Sequence, residues 1–163
     1  MKVHEQEMDS PLFDSMENLK PVIPQGSSDS AALDSVFELL NISGQPAPLA
    51  KLMLVPDAWS KKSKTLPKDH RHLFNFLNST MEPWDGPAAI AGTDNEWVIA
   101  ATDRNGLRPM RFTITKDKIL CAGSETGMVE LDEKKIITKG RLGPGEIIAV
   151  SYTHLRAHET SQH

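Results

Sequence analysis

The sequence predicts an α+β domain with helices first and antiparallel strands after them. Apolar residues recur at helical spacing over about 30–42 and again over 68–80. From Pro83 onward they come instead in short, strand-length runs. Turn-forming groups divide those runs, namely Thr93-Asp94-Asn95, Arg104-Asn105-Gly106 and Lys116-Asp117. A run of helices followed by a run of strands is the pattern of a layered α+β fold.

Residues 1–26 are polar and broken by Pro11, Pro21 and Pro24, which makes them an extended connector. Ser27, Ser28 and Asp29 then offer oxygens that can cap a helix start, and Asp34 adds negative charge near the positive end of its dipole. Leu33, Val36, Phe37 and Leu40 mark one face of that helix, and Gly44 stands where it should stop. Leu49 to Val55 reads as a short helix ended by Pro56. Lys61 to Lys68 is a lysine-rich linker, and Pro67 suits the first turn of the next helix, about 68–80. Leu73, Phe74, Phe76, Leu77 and Met81 form its apolar face.

The strand-like runs are Ala88 to Gly92, Trp97 to Thr102, Met110 to Thr115 and Lys118 to Ala122. Their spacing predicts an antiparallel meander. Ile136-Ile137 and Glu146 to Val150 add two strands around the turn Leu142-Gly143-Pro144-Gly145. The last stretch, Ser151 to His163, carries no apolar period and is expected to be a non-native tail, leaving 1–150 as the domain.

Composition narrows the function. With 163 residues, 39% apolar and 25% charged, the chain has the make-up of a globular domain with its own core. A net charge of −4 provides no basic field for phosphates, so nucleic acid is not an expected partner. No apolar run approaches the roughly 20 residues that a membrane span requires. A single cysteine, Cys121, excludes an intrachain disulfide and suits a cytoplasmic setting.

Few residues suggest chemistry. Ser28-Asp29-Ser30 stands at a helix start, where free N–H groups and the dipole favour an ionised carboxylate. That carboxylate has two readings: part of an ordinary cap, or the partner of a ligand ammonium group. Asn105-Gly106 has the residue types of an oxyanion hole, but its place between strands fits a hairpin turn. Cys121 lies in an apolar run without a nearby base, as a buried structural cysteine does. His154 and His158 have helical i, i+4 spacing, yet nothing completes a metal-ligand set, and no metal site is expected. Trp59, Trp84 and Trp97 read as packing residues.

Several stretches resemble the class II glutamine amidotransferase domain of glutamate synthases. They are SPLFDSMENLKPVIPQGSSDSAALDSVFELL (10–40), LMLVPDAW (52–59), MEPWDGPAAIAGTD (81–94), ATDRNGLRPMRF (101–112) and KGRLGPGEIIAV (139–150). The resemblance covers about residues 8–150. DRNGLRP and the later Ser124-Glu125 also occur, more loosely, in related enzymes that make phosphoribosylamine, while MEPWDGPA points to glutamate synthase. The implied fold is an N-terminal-nucleophile-hydrolase-like αββα sandwich, with helices packed on antiparallel sheet and the N-terminal part of the domain missing.

The resemblance also implies chemistry. An N-terminal cysteine thiolate attacks the carboxamide of L-glutamine, and its own amino group is the base. The ammonia released passes to a flavin site that converts 2-oxoglutarate to glutamate. Asp29, capped by Ser28, inherits contact with the α-amino group of glutamine. No catalytic residue is assigned, since residue 2 is Lys2 and the nucleophile is expected to lie outside this chain. FMN and an iron–sulfur cluster belong to the intact enzyme, with no cofactor expected in this segment. The remainder of the large subunit is the expected partner, in the cytoplasm or, in a plant or alga, the plastid. Without that remainder, strand edges and an apolar face should stay open and stability should be marginal. A non-catalytic amino-acid-binding module and another class II amidotransferase are the competing readings.

Overall fold

A computed structural model of the chain describes residues 14–56 and 67–152. The chain divides at Gly86-Pro87 into two compact units. The first holds the helices and the second holds the strands, as the change of apolar period at Pro83 predicts.

In the first unit, a turn closed by the Ser27 N–H on the Pro24 carbonyl leads into α1 (Asp29–Ile42). Gly26, at φ +81°, takes the third position of that turn, where positive φ is required. Ala32, Val36 and Leu40 form the buried stripe of α1, four residues apart. Its end is a full Schellman motif: the Gly44 N–H bonds the Asn41 carbonyl and the Gln45 N–H bonds the Leu40 carbonyl, with Gly44 at φ +89°. The second helix, α2 (Ala47–Leu54), buries Ala47, Ala50, Lys51 and Leu54. The third, α3 (Lys68–Thr80), follows Pro67, which sits just before the first turn. It buries Leu77 and leaves Leu73 and Phe76 exposed. Ile23 is buried too, so the proline-broken lead-in is part of the packed unit rather than a free connector. Trp59, the lysine-rich stretch up to residue 66, His154, His158 and the tail after 152 lie outside the described residues.

The second unit corrects one expectation. The strands do not form a single meander; they form two antiparallel three-stranded sheets. The first has the order β1 (Ala89–Thr93), β2 (Trp97–Thr102), β6 (Ile147–Ser151). The second has the order β4 (Leu120–Gly123), β3 (Arg111–Thr115), β5 (Ile136–Arg141). The hairpins β1–β2 and β3–β4 are local, as expected. Consecutive strands β2 and β3, however, belong to different sheets, and each takes a distant strand as its second neighbour.

Side-chain pattern explains the assignment. In β2, residues 99–102 are buried on both faces, as a central strand requires, whereas β1 alternates between exposed and half-buried positions. The turn of β1–β2 is built by Asp94, whose Oδ1 accepts the N–H groups of Glu96 (2.7 Å) and Trp97 (2.6 Å). Ala100, Met110 and Leu142 form a core cluster, with Phe112 and Ile148 packed against it. These residues come from both sheets and the loops between them.

Phe112 and Gly140 are register partners on β3 and β5. The Phe112 ring lies over the glycine, so an added Cβ would stand 2.6 Å from Phe112 Cε1. Gly140→Ala should therefore destabilise this unit by about 2 kcal/mol through overpacking. The same change in a Phe112→Leu background should cost clearly less in a urea melt. Equal costs in the two backgrounds would rule out the ring contact as the cause.

Candidate functional site

The first place where the expected residues gather is the start of α1. Ser28 is the N-cap: its Oγ accepts the Ala31 N–H at 3.3 Å and lies 3.2 Å from Ser30 Oγ. Asp29 is the first helical residue, and its side chain is exposed at the end where the helix dipole is positive. The capping contact belongs to Ser28, which leaves the Asp29 carboxylate outside the cap. The capping reading of this tripeptide therefore falls to Ser28.

Trp84 completes the arrangement. Its indole N–H donates to the Asp29 carbonyl oxygen at 2.9 Å, across 55 positions of sequence, and its backbone N–H donates to the Leu54 carbonyl at 2.6 Å. The MEPWDGPA stretch is thereby bonded to the SDS helix start and to the end of α2. Trp84 is buried, as its reading as a packing residue implied, but the hydrogen bond was not legible from local sequence.

The second gathering is around Asp103, which sequence reasoning passed over. This residue is 1% exposed, and its carboxylate accepts four backbone N–H groups. Oδ1 takes those of Asn105 and Leu107, both at 3.0 Å. Oδ2 takes those of Ala88 (3.1 Å) and Arg108 (3.0 Å). Burial works to raise its pKa, yet the N–H bonds from Arg108, Leu107, Ala88 and Asn105 outweigh it and hold the carboxyl below its ordinary value. The Asp103 carbonyl also accepts from Gly145, and Thr102 Oγ1 donates to the Gly143 carbonyl at 2.6 Å. Stretches 87–88 and 103–108 meet at this carboxylate, and 142–146 joins them at the Asp103 carbonyl and the Thr102 hydroxyl.

Asn105-Gly106 does occupy a turn, with Gly106 at φ +65° and its N–H on the Asp103 carbonyl. It is not a hairpin turn, because β2 and β3 lie in separate sheets; Asp103 shapes it instead. A side chain at Gly106 would meet Pro144 at 3.1 Å. Cys121 is half-buried on β4 rather than fully buried, since β4 is an edge strand. It lines an open groove of about 920 Å³ on the β4-β3-β5 sheet, with Arg111, Glu125, Met128 and Lys139. Ser124 and Glu125 are exposed just beyond β4. Among the described residues, no group of three or more His, Cys, Asp or Glu is placed to hold a metal ion. No helix among them is long and apolar enough to cross a membrane.

Among the described residues, three α-helices and two antiparallel sheets are consistent with a partial N-terminal-nucleophile-hydrolase-like domain. Comparison with known proteins agrees. The family model described as glutamine amidotransferases class-II matches residues 1–162. The large chain of glutamate synthase [NADPH] from Azospirillum brasilense is 57% identical over 151 residues, covering 92% of this chain and 10% of that one. Glutamate synthase [NADH] from Saccharomyces cerevisiae is 42% identical over 153 residues, covering 92% and 7%. The chloroplastic ferredoxin-dependent glutamate synthase 2 of Arabidopsis thaliana is 37% identical over 165 residues, covering 99% and 10%. The chain belongs to the class II glutamine amidotransferases, as part of that domain in the glutamate synthases. It spans about a tenth of the length of the curated relatives it matches.

Proposed function

We propose that this chain is the glutamine-recognising portion of the glutaminase half of a glutamate synthase. The observation that carries the reading is Asp29: an exposed carboxylate at the start of α1, with Ser28 doing the capping. Its charge complements the α-ammonium group of L-glutamine. That group is remote from the carboxamide that reacts, so the contact anchors and orients the substrate without joining the bond-breaking step. The nucleophile, a thiolate that attacks the carboxamide carbon and releases ammonia, is supplied from outside these residues. The ammonia then serves reductive amination of 2-oxoglutarate.

Cys121 is a poor substitute for that thiolate. It lies in the body of a strand, and among the described residues no hydrogen bond or ion pair places a base beside it. The iron–sulfur cluster is assigned to other parts of a large subunit, because one cysteine supplies one thiolate and a cluster takes three or four, and FMN is placed there with it. Relatives named for NADPH, NADH and ferredoxin all align with this stretch, which supports placing the donor-specific residues elsewhere. The partner proposed is the remainder of such a subunit.

Three measurements test the reading. The purified 163-residue chain should release no ammonia from L-glutamine above the buffer rate; steady release would show that a nucleophile is present after all. Residues 8–150, grafted in place of the matching stretch of the Azospirillum large chain, should sustain glutamine-dependent glutamate formation. In that graft, Asp29→Ala should raise the KM for glutamine with little effect on kcat. An unchanged KM would refute the role given to Asp29.

A further inference from the structure

We propose that Trp84 is a positioning residue for glutamine, acting through the backbone of Asp29. This rests on the reading of Asp29 as the ammonium partner and adds the device that holds it in place.

The first turn of a helix is its weakest part, since its N–H groups have no partners within the helix and its ends fray. Here that turn carries the functional carboxylate, and Ser28, Asp29 and Ser30 are all exposed. The Ser28 cap satisfies one N–H group, at the long distance of 3.3 Å. The indole adds a second restraint of a different kind. A helical carbonyl has two lone pairs, one of which serves the N–H four residues on. The Trp84 N–H takes the remaining capacity of the Asp29 carbonyl at 2.9 Å. Indole nitrogen donates and never accepts, so the contact has one polarity and one geometry.

The donor is itself held firmly. Trp84 is 7% exposed, and its own N–H is bonded to the Leu54 carbonyl at the end of α2. Gly86 lies against the ring: a Cβ there would be 2.8 Å from Trp84 Cη2. The Trp84-Asp85-Gly86 sequence thus seats a rigid donor that could not lie so close to any larger residue at 86. A carboxylate on an anchored turn is aimed before substrate arrives, while one on a fraying turn must be ordered by the substrate. The effect falls on binding and spares the chemical step.

The test uses the intact large chain carrying residues 8–150 as the graft. Trp84→Phe keeps most of the ring and removes the N–H. It should raise the glutamine KM about fivefold, the loss of one buried hydrogen bond, and leave kcat within about twofold. In an Asp29→Ala background the same change should add nothing further to KM, because Trp84 acts through Asp29. Should Trp84→Phe fail to fold, benzothienylalanine at position 84 replaces the N–H by sulfur at nearly the same ring volume and makes the same comparison. Additive effects on KM, or equal losses in kcat and melting temperature, would reduce Trp84 to packing and overturn the proposal. An unchanged KM in Trp84→Phe, with Asp29→Ala still raising it, would sink this inference and leave the role of Asp29 standing. An unchanged KM in Asp29→Ala would sink both.

Discussion

Asp103→Ala should cost the strand-bearing unit about 4 kcal/mol or more, because four buried N–H groups lose a charged acceptor together. The Ala88 bond holds the entry to β1, the Asn105 and Leu107 bonds shape the loop after β2, and the Arg108 bond sets the approach to β3. Loss of that much stability is roughly a quarter or more of the about 5–15 kcal/mol available to a typical domain. Urea denaturation followed at Trp97, with Trp59 and Trp84 replaced by Phe in parent and variant alike, is the direct measurement. A midpoint equal to that of the matching parent would show that the carboxylate is not the organiser of these loops.

Acid titration checks the electrostatic part of the claim. The folded-state pKa of Asp103 is lowered: burial pushes it up, and the backbone N–H bonds of Arg108, Leu107, Ala88 and Asn105 prevail. The stabilisation from this group is therefore fully present above the unfolded pKa of about 3.9. It is lost as pH falls through the lower folded value. Asp103→Asn cannot gain or lose that proton. Its amide also turns a donor toward N–H groups that need an acceptor. The stability difference between parent and variant should thus be large and flat above about pH 5 and shrink in stronger acid. A difference that stayed constant down to pH 2 would contradict the assigned ionisation.

The second large effect is that of Asp29→Ala on glutamine binding in the grafted large chain. A charge-assisted contact is worth about 1.5–3 kcal/mol. That corresponds to a rise in KM of about ten- to more than a hundredfold. Asp29→Asn should behave almost as badly, since the lost quantity is charge rather than volume. kcat should stay near the parent value, because the ammonium contact is the same in the ground and transition states. The stability of the helical unit should barely move, since Ser28 and not Asp29 supplies the cap. A fall in kcat without a change in KM would put Asp29 in the chemical step and require a different mechanism.

The helices were legible because each of their signals is local. Ser28 as cap, Gly44 as stop and the apolar positions Leu33, Val36, Phe37 and Leu40 lie within one helix of one another, although full burial falls on Val36, Leu40 and the unforeseen Ala32. Individual strands were legible for the same reason, through short apolar runs and turn residues such as Asp94. Strand partners were not. Joining neighbours in sequence yields a meander, but β6 reaches back to β2 and β5 to β3, choices that depend on which faces bury against which. Asn105-Gly106 encouraged the error, since Asn-Gly is a strong hairpin signal. Asp103 immediately before it was the corrective sign: a carboxylate two residues ahead of such a pair suits local N–H acceptance. At the helix start, Asp29 and Ser28 were visible in the motif, whereas the Trp84 bond spans 55 positions and leaves no mark in either local pattern.

The pairing of β6 with β2 bears on how the chain is made. While a ribosome is still adding residues before Ile147, the edge of β2 that takes β6 has no strand beside it. The Gly145 N–H that bonds the Asp103 carbonyl, and the Gly143 carbonyl that accepts from Thr102, arrive equally late. The β2–β6 pairing must therefore wait until Ile147–Ser151 has left the exit tunnel. Folding that depends on such distant partners is slow. During that wait the apolar run Trp97 to Ala101 is open to chaperones and to neighbouring nascent chains.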